Sequence, residues 1–470
     1  MLRPFFALAV LVLTSCGWAE NTARVYPFPG GEPASKRFAV TVNGEVSGVY
    51  VARVLTVGTV GTAIAKEQLV DGEAAFTSFD IMGKAHLAVT SPDVITSAKI
   101  LPSNRDVVLH VKDHQVTFDL DKPGQYTVEI NGDWNNSLNL FANAPETGIP
   151  SPDDPNVIYF GPGVHSIDPL IVTSGKTVYL APGAVVYAKA KPCAVVFQLE
   201  GDNITVRGRG IIDDSLSPRV SCGGTYIMSH VMTAHGNNLK VEGVTMRDSA
   251  GWTFPVRSSN HVTIDNIKIF GWRGNSDGID IDNSQDVQIS HGFIRTYDDL
   301  VVLKATTKGA PATRDVTVKD MVLWNPLAHA LSLGAEIREN IENVLFTDCD
   351  VIHDKGREWT FRVYDTDSGT VRHIVFDNIR VEETQRLTSL WIGKTRWSRD
   401  DDRGHVEDVE FRNIRSAAGA RPTTQNDIVG FDAEHAVHHV VYKNVMVGGK
   451  RLKSDDVKYN AFAYDIKVTR

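Results

Sequence analysis

Three short blocks of the sequence carry residues suited to acid–base chemistry. They are Asn275-Ser276-Asp277-Gly278, Tyr297-Asp298-Asp299 and Ala328-His329-Ala330. Hydrolysis of a glycosidic bond requires one carboxyl group that protonates the leaving oxygen and another carboxylate that deprotonates a water molecule. If the blocks stack on neighbouring repeats, they place three carboxylates and a histidine on one wall. The blocks therefore predict a polysaccharide hydrolase.

The elements that must position these blocks are short apolar strands, each opened by a polar residue. Examples are Asn203-Ile204-Thr205-Val206, Asn260-His261-Val262-Thr263-Ile264, Asp315-Val316-Thr317-Val318 and Asp408-Val409-Glu410-Phe411. Recurrence at roughly 20–35 residues, without an amphipathic helical stretch between units, indicates a β-solenoid. Each coil buries its apolar face only by stacking on the next coil. We interpret the polar openers as structural, because Asn tolerates the left-handed conformation of a tight corner.

The chain divides into regions of different rhythm. Residues 20–143 alternate short strands with turn signals such as Asn43-Gly44 and Asn131-Gly132, which is typical of a small antiparallel β-sandwich. Residues 144–156 are rich in Pro, Asp and Ser and are predicted to be a linker. The repeats occupy residues 157–470. The predicted fold class is therefore all-β, a solenoid preceded by a small N-terminal sandwich.

The N-terminus predicts export. Residues 1–19 begin with a charge and continue in an apolar run too short to span a bilayer, as in a secretory signal. Leu13-Thr14-Ser15-Cys16 resembles the bacterial lipoprotein box, in which Cys16 carries the lipid. The alternative is cleavage after Ala19 and soluble secretion. Both predict an exported protein, periplasmic or at the cell surface in the lipid-anchored case.

Composition limits the partners. The net charge is -9 over 470 residues without a basic run, which gives no electrostatic reason to bind nucleic acid or an anionic membrane. No cysteine pair has metal-ligand spacing, which argues against a zinc site. We expect no metal, no cofactor and a monomer. Cys193 and Cys222 are able to form a disulfide in an oxidising compartment; separate buried thiols are the alternative.

The ordered set of blocks resembles the polygalacturonase family of glycoside hydrolases. The resemblance covers most of the second region and includes Asp248-Ser249-Ala250-Gly251-Trp252, the three blocks above and the extension of the third block as far as Gly334. It implies a right-handed parallel β-helix and inversion at the anomeric carbon. The N-terminal sandwich is similar to that of the related dextranase and isopullulanase enzymes, which act on neutral glucans.

The resemblance also implies roles for individual residues. Asp298 matches the general acid, and Asp277 with Asp299 match the pair that holds and deprotonates water. His329 matches a histidine that lies near the acid and helps to keep it protonated. Arg362, in Phe361-Arg362-Val363-Tyr364, matches the arginine of an Arg-Ile-Lys block that grips the substrate. Adjacent residues of an ideal strand point to opposite faces, so Asp298 and Asp299 require a bulge or a turn.

Departures from the family pattern bear on the substrate. The lysine of the Arg-Ile-Lys block is Tyr364 here, which removes a point charge from a carboxylate subsite. Lys304 or Arg357 is a candidate replacement for that charge. Aromatic rings stack on pyranose rings. Further candidates for sugar contact are therefore the aromatic residues that we expect in loops between strands: Trp272, Trp359, Tyr364, Trp391 and Trp397. Of these, Trp272 and Tyr364 are expected to lie closest to the site.

Other functions remain open at this stage. Asp280, Asp282 and Asp286 are equally suited to turn capping or to an adventitious calcium site. A β-helix polysaccharide lyase uses Arg or Lys as base and leaves an unsaturated product, and a binding protein cleaves nothing. The grouped aspartates and His329 favour a polygalacturonase-like hydrolase of a pectic or other plant or algal glycan over both, with a dextranase-like hydrolase as the alternative.

Overall fold

The computed structural model describes residues 22–56, 70–223, 229–356, 358–384, 386–417 and 425–470. The predicted signal segment with Cys16, and Arg357, lie outside these residues. The described residues form strands and turns, with two short 3-10 helices at Ser103–Arg105 and Ser454–Asp456. The predicted fold class is confirmed: a right-handed parallel β-helix follows an N-terminal β-sandwich. No helix in these ranges is long and apolar enough to cross a membrane.

Two sheets form the sandwich. One contains Thr22–Val25, Tyr50–Thr56, Val70–Met82, Ala98–Leu101, Gly124–Ile130 and Leu138–Asn143. The other contains Ala39–Val42, Glu45–Ser47, Ala85–Thr90, His110–Lys112 and Gln115–Leu120. Most neighbouring strands pair antiparallel, and alternating side chains such as Val40, Leu87 and Phe118 fill the space between the sheets.

Three long sheets form the β-helix, and each coil contributes a strand to each sheet in turn. The first sheet contains Val157–Phe160, Thr177–Leu180, Thr205–Gly208, Asn237–Glu242, Asn260–Asp265, Gln285–Ser290, Thr313–Lys319, Ile341–Thr347, Val371–Asp377, Val406–Arg412, Val437–Lys443 and Ala463–Thr469. The second contains Gly163–Ile167, Ala184–Ala188, Ile211–Asp213, Thr245–Arg247, Lys268–Phe270, Phe293–Arg295, Val322–Asn325, Asp350–Asp354, Arg380–Val381, Arg415–Ser416, Met446–Val447 and Lys450–Arg451. The third contains Leu170–Thr173, Val195–Glu200, His230–His235, Phe254–Arg257, Ile279–Asp282, Val301–Ala305, Leu331–Ile337, Phe361–Asp365, Arg386–Ile392, Gln425–Val429 and Lys458–Tyr459.

Polar residues at the corners hold the coils in register. The corner between the first and second sheets carries a column of residues with positive φ, which includes Asn378, Asn413 and Asn444. Asn378 donates a hydrogen bond to Asp348 on the preceding coil at 2.6 Å, and Asn444 donates to Asn413 at 2.9 Å. The openers Asn203 and Asp315 also have positive φ, and Asn203 accepts a hydrogen bond from Asn238 on the next coil at 2.6 Å. These polar openers therefore serve the structure, because they combine a left-handed backbone with hydrogen bonds along the axis.

The sandwich packs along the side of the β-helix, on the outer face of the second sheet. It buries aromatic and aliphatic side chains of both partners in one cluster, which includes Tyr50, Phe76, Phe141, Phe270, Phe293, Val322, Trp324 and Ile352. The Phe76 and Phe270 rings stack with centroids 5.1 Å apart. The cluster reaches from the coil of Val185 to that of Ile352, so the sandwich supports the middle of the helix as well as its first coils.

The cysteines among the described residues take two different forms. Cys193 and Cys222 form a disulfide, so the alternative of two separate thiols is wrong for this pair. Cys349 is a free thiol, fully buried in the core of the β-helix, where burial raises its pKa to about 12.

Candidate active site

The predicted acid–base residues lie at one corner of the β-helix, where the chain enters the third sheet. Asp277 precedes the strand Ile279–Asp282, Asp298 and Asp299 precede Val301–Ala305, and His329 precedes Leu331–Ile337. Ile279 pairs with Val301, and Val301 pairs with Leu331, so these corners belong to three successive coils. Stacking at about 4.8 Å per coil brings side chains together that are far apart in sequence.

The structure brings the three aspartates into mutual contact range. One carboxylate oxygen from each of Asp277, Asp298 and Asp299 lies within 4.8 Å of the others. Tyr297 to Leu300 form a bend, and the strand begins only at Val301. Because the two adjacent aspartates precede the strand, the alternation of a strand does not separate their side chains. The turn that the sequence required is therefore present.

The electrostatics separate Asp298 from Asp299. Burial and the neighbouring Asp299 carboxylate raise the pKa of Asp298 to about 6. Burial also acts on Asp299, but the His329 imidazole, Lys304 and Arg362 outweigh it and hold the pKa of Asp299 below its ordinary value. Near pH 5 one carboxyl group is therefore protonated while its neighbour is ionised, which is the pairing that acid–base catalysis needs.

His329 contacts a different aspartate from the one that the resemblance implied. Its Nδ1 lies 2.5 Å from Asp299 Oδ1, and Arg362 Nη1 lies 3.1 Å from its Nε2. The charge of His329 lowers the pKa of Asp298. The expectation that His329 helps to keep Asp298 protonated is therefore wrong in this structure. The histidine stabilises the ionised form of Asp299 instead.

A fourth carboxyl group, that of Asp280, lies beside the cluster, and the sequence pattern suggested only turn capping or an adventitious calcium site for it. Asp280 is fully buried, neither of its carboxylate oxygens has a hydrogen-bond partner among the described residues, and burial raises its pKa to about 8. Burial and the charges of Asp280 and Asp298 raise the pKa of Asp277 well above its usual range. Alternation within Ile279–Asp282 places Asp280 on the outer face of the third sheet. Asp280 is the second residue of this strand, so it does not cap a turn.

Lys304 balances this negative charge. Its ammonium group is buried, donates to Glu336 Oε2 at 3.1 Å and lies 4.6 Å from the Trp252 ring centroid. Burial lowers its pKa, but Glu336, Asp277 and Asp280 outweigh burial and raise it, so the ammonium is charged. The expectation that Lys304 replaces the missing substrate-binding lysine is therefore not supported, because its charge is already used within the site.

Arg362 lies next to His329 and contacts side chains of its own strand and of the segment before that strand. Its Nη1 donates to Glu358 Oε2 at 3.0 Å, and its guanidinium carbon lies 3.8 Å from the Tyr364 ring centroid and 5.1 Å from that of Trp359. Tyr364 therefore supports Arg362 by a cation–π contact instead of supplying a second charge. The sequence did not reveal Glu358 as a partner.

These residues line an open cleft of about 1020 Å³ on the outer face of the third sheet. The cationic side chains on its walls are Arg219, Arg257, Lys304, Arg362, Arg396 and Arg399, and the acidic ones are Asp277, Asp282, Asp298, Asp299, Glu336 and Glu358. Trp272, Tyr364 and Trp397 also line this cleft, whereas Trp391 lines a smaller pocket beside it and Trp359 borders that pocket too. Tyr364 and Trp391 lie within strands, so the prediction that they occupy loops is wrong.

The sandwich contributes to one wall of the cleft. Leu55, at the end of the strand Tyr50–Thr56, lines the cleft and packs on Leu327. Arg53 lies 4.0 Å from the ring centroid of Trp272, whose Nε1 donates to Asp248 at 2.9 Å. One face of the Trp272 ring is therefore covered by the sandwich. Sequence reasoning missed this wall, because nothing in the strand pattern indicates which face of the helix the sandwich covers.

The three aspartates are also the group of described residues whose ligand atoms are close enough to hold a metal ion. Calcium requires six to eight oxygen ligands. Here three carboxylates face the charged ammonium of Lys304, which already offsets part of their charge. The Lys304 side chain therefore supplies positive charge to the three aspartates.

A fold of stacked parallel coils and a cluster of three carboxylates in an open cleft are typical of the β-helix glycosidases, and comparisons with known proteins agree. Residues 194–461 match the model of Glycosyl hydrolases family 28. A segment of 165 residues is 29% identical to a polygalacturonase of Medicago sativa and covers 32% of this chain but only 37% of that relative. The chain belongs to glycosyl hydrolases family 28, and the predicted relation to polygalacturonases is confirmed.

Solved structures give the same fold. Dex49A from Penicillium minioluteum aligns over 95% of this chain and 96% of its own length, with a TM-score of 0.66 and 14% identity. A hyperthermoactive exopolygalacturonase from Thermotoga maritima aligns over 67% of this chain and 84% of its own length, with a TM-score of 0.51 and 16% identity. The alignment with Dex49A includes the sandwich, so the dextranase-like relation is confirmed for the fold.

Proposed function

We propose that this protein is an exported, polygalacturonase-like hydrolase that cleaves glycosidic bonds in a polysaccharide with inversion. The observation that carries the proposal is the cluster of Asp277, Asp298 and Asp299, in which two adjacent carboxyl groups have pKa values shifted in opposite directions. Pairs of carboxyl groups separated in this way divide the acid and base roles of glycoside hydrolysis.

In the proposed reaction Asp298 is the general acid. It gives its proton to the glycosidic oxygen as the bond to the anomeric carbon breaks. Asp299, held ionised by His329, accepts a proton from the attacking water, and Asp277 orients that water. The oxygen of the water joins the anomeric carbon, its proton goes to Asp299, and the leaving group departs as an alcohol. Atoms and charges therefore balance without a cofactor.

The spacing of the carboxylates bears on stereochemistry. Two oxygens that share one bridging water lie up to about 5.6 Å apart, since each hydrogen bond is about 2.8 Å long. The observed limit of 4.8 Å is compatible with such a water between Asp277 and Asp299. Inverting enzymes usually separate their two carboxyl groups by about 6.5–9.5 Å and retaining enzymes by about 5–5.5 Å. The 4.8 Å limit joins one oxygen of each carboxyl group and does not measure the separation of the groups, so the proposal of inversion rests on the family pattern and on the room for this water.

The charge on the cleft walls supports an acidic sugar as substrate. Asp282, Glu336 and Glu358 each face a basic partner, at 3.7, 3.1 and 3.0 Å in the same order. Arg219 donates to Gly274 O and Asn275 Oδ1, and Arg396 contacts the Trp397 ring. Among the described residues, neither of these two arginines has a carboxylate at ion-pair distance. Both are therefore suited to bind carboxylates of a uronate chain.

A neutral α-glucan is the second candidate substrate. The observation that favours it is Tyr364, which stands at the position of the family lysine and packs against Arg362. Loss of that charge weakens a uronate subsite, whereas an aromatic ring is suited to stack on any pyranose. A dextranase-like activity is therefore the main alternative to a pectic one.

Export is part of the proposal. The Cys193–Cys222 disulfide supports an oxidising compartment. We expect Cys16 to carry a lipid anchor, with soluble secretion as the alternative. Labelling with radioactive palmitate in a bacterial host tests the anchor. The wild type should be labelled and Cys16→Ala should not; an unlabelled wild type would favour soluble secretion.

A digest of a polysaccharide panel tests the activity. The panel contains polygalacturonate, rhamnogalacturonan, dextran and pullulan, and both new reducing ends and ultraviolet absorbance are recorded. Reducing ends without absorbance, on polygalacturonate or rhamnogalacturonan, are expected. Activity on dextran or pullulan would select the neutral-glucan alternative. Absorbance would indicate a lyase, and no product on any substrate would contradict the proposed hydrolase.

A further inference from the structure

A second pocket lies beside the catalytic cleft, toward the C-terminal end of the β-helix. Its volume is about 350 Å³, and Arg362 belongs to both cavities. The other lining residues are Trp359, Ser389, Trp391, Asp427, Val429, Lys458, Tyr459 and Asn460. Most of these residues lie more than one coil after the block that contains His329. The sequence pattern predicted no role for Ser389, Asp427, Lys458 or Tyr459.

The pocket follows the same sheet face as the catalytic cleft. Arg362 pairs with Ser389, Ser389 with Asp427, and Asp427 with Lys458, so one outward column crosses four coils. Three steps of about 4.8 Å give the column a length of roughly 14 Å. A second column on the same face contains Tyr364, Trp391 and Val429. The two cavities therefore form one groove along the outer face of the third sheet.

The lining of the pocket has the chemistry of a carbohydrate site. Trp359, Trp391 and Tyr459 supply aromatic rings, and Tyr459 is 60% exposed. Pyranose rings present C–H groups that pack against such rings, while charged and amide groups at the edge bind hydroxyl groups. Asp427 and Lys458 provide an acceptor and a donor in adjacent positions of the column.

Two hydrogen-bond donors at the junction of the cavities have no acceptor. Trp359 Nε1 and Arg362 Nε are buried atoms without a partner among the described residues. A buried donor that lacks an acceptor is costly. Oxygen atoms of a bound ligand are suited to satisfy donors of this kind after small side-chain adjustments, and a sugar chain is rich in acceptor oxygens.

We propose that this pocket is a secondary subsite that binds pyranose units of the substrate chain beyond the bond that is cleaved. The inference rests on the proposed hydrolase function and deepens it, because a chain that occupies both cavities must be longer than a short oligosaccharide. The pocket therefore gives the enzyme a preference for long chains and allows attack within them.

The test uses two exposed tyrosines of the last coil. Tyr459 lines the pocket, whereas Tyr464 is 54% exposed on the first sheet and stacks on His438 outside both cavities. Tyr459→Ala and Tyr464→Ala are made in the wild type and in Asp298→Asn, with Lys458→Ala as a second variant in the pocket. Retardation in gels that contain polygalacturonate or dextran measures binding by the Asp298→Asn proteins. The kcat/KM values on trigalacturonate and hexagalacturonate, or on the matching isomaltooligosaccharides if dextran is cleaved, measure chain-length preference.

Loss of one stacked ring should weaken polymer binding by Tyr459→Ala about three- to tenfold. The kcat/KM on the hexamer should fall by a similar factor, with little change on the trimer, and Lys458→Ala should show a smaller effect in the same direction. Tyr464→Ala should match its parent. A wild type that cleaves the polymer, with Tyr459→Ala equal to Tyr464→Ala, would overturn the subsite and leave the hydrolase proposal intact. Equal losses on trimer and hexamer would also overturn the subsite, and a protein that neither binds nor cleaves either polymer would overturn both proposals.

Discussion

The second and third sheets of the β-helix run through the same coils, but their outer faces differ in character. The outer face of the second sheet carries Phe270, Phe293 and Trp324, which the sandwich covers. The outer face of the third sheet carries Asp280 and Lys304, and it borders an open cleft. The inward residues of both sheets are mostly apolar. A solenoid therefore separates stability from chemistry, because only its outward residues decide what each face does.

This difference has an energetic origin. A coil core of Val, Ile, Leu and Phe supplies the burial that stabilises the helix. The apolar outer face of the second sheet gains further stability from the sandwich. The third sheet instead concentrates carboxyl groups whose pKa values are raised by burial, which costs stability and is offset locally by Lys304.

The largest expected effect is on the charged face. Asp298→Asn removes the proposed acid, so kcat/KM on the substrate found in the panel should fall by about 10²- to 10⁴-fold, with the melting temperature unchanged or raised. The matched control is Asp286→Asn, which removes a carboxylate from the first sheet of the same coil. Equal activity of the two variants would break the distinction between the faces.

The next effect is on the covered face. Trp324→Ala should lower the free energy of unfolding by about 3–5 kcal/mol, because it removes a fully buried ring from beneath the sandwich. Trp391→Ala, on the partly exposed face of the third sheet, should cost less than half of that. Urea denaturation followed by tryptophan fluorescence measures both. Similar losses of stability would show that the two faces do not differ as described.

The pH profile sharpens the division of roles inside the site. The value of kcat/KM should fall as pH rises through about 6, where Asp298 loses its proton. It should hold on the acidic side until Asp299 is protonated, because the pKa of Asp299 is lowered from its ordinary value. His329→Ala removes the group that stabilises ionised Asp299, so the acidic limb should move to higher pH. An acidic limb that does not move would contradict the contact between His329 and Asp299 as the cause.

The smallest expected effect is at the rim of the cleft. Arg396→Gln should raise KM for polygalacturonate about two- to fivefold at low salt, because an exposed charge contributes little. The difference should vanish at high ionic strength, where such charges are screened. Lys394→Gln changes an exposed charge two residues away that does not line the cleft and should have no effect. Equal effects of both variants would argue for general charge rather than for a carboxylate site.

The sequence predicted what depends on local pattern. The apolar repeats predicted the coils, and the spacing of the three blocks brought Asp277, Asp298, Asp299 and His329 to one corner, since a solenoid converts sequence period into contact. Pairings across loops of variable length were not accessible. Neither the Lys304–Glu336 ion pair nor the contact of His329 with Asp299 rather than Asp298 follows from spacing. Which face the sandwich covers depends on tertiary packing, so Leu55 was not recognised as part of the cleft wall.

The most direct test of the proposed chemistry at the three aspartates is proton NMR of the first products formed from the substrate found in the panel. Attack by a water held between Asp277 and Asp299, with Asp298 as acid, predicts that the new reducing end first appears with the anomeric configuration opposite to that of the cleaved bond. First products with the original configuration would contradict direct attack by water and make one aspartate a nucleophile. Vinyl proton signals of an unsaturated product would contradict hydrolysis altogether.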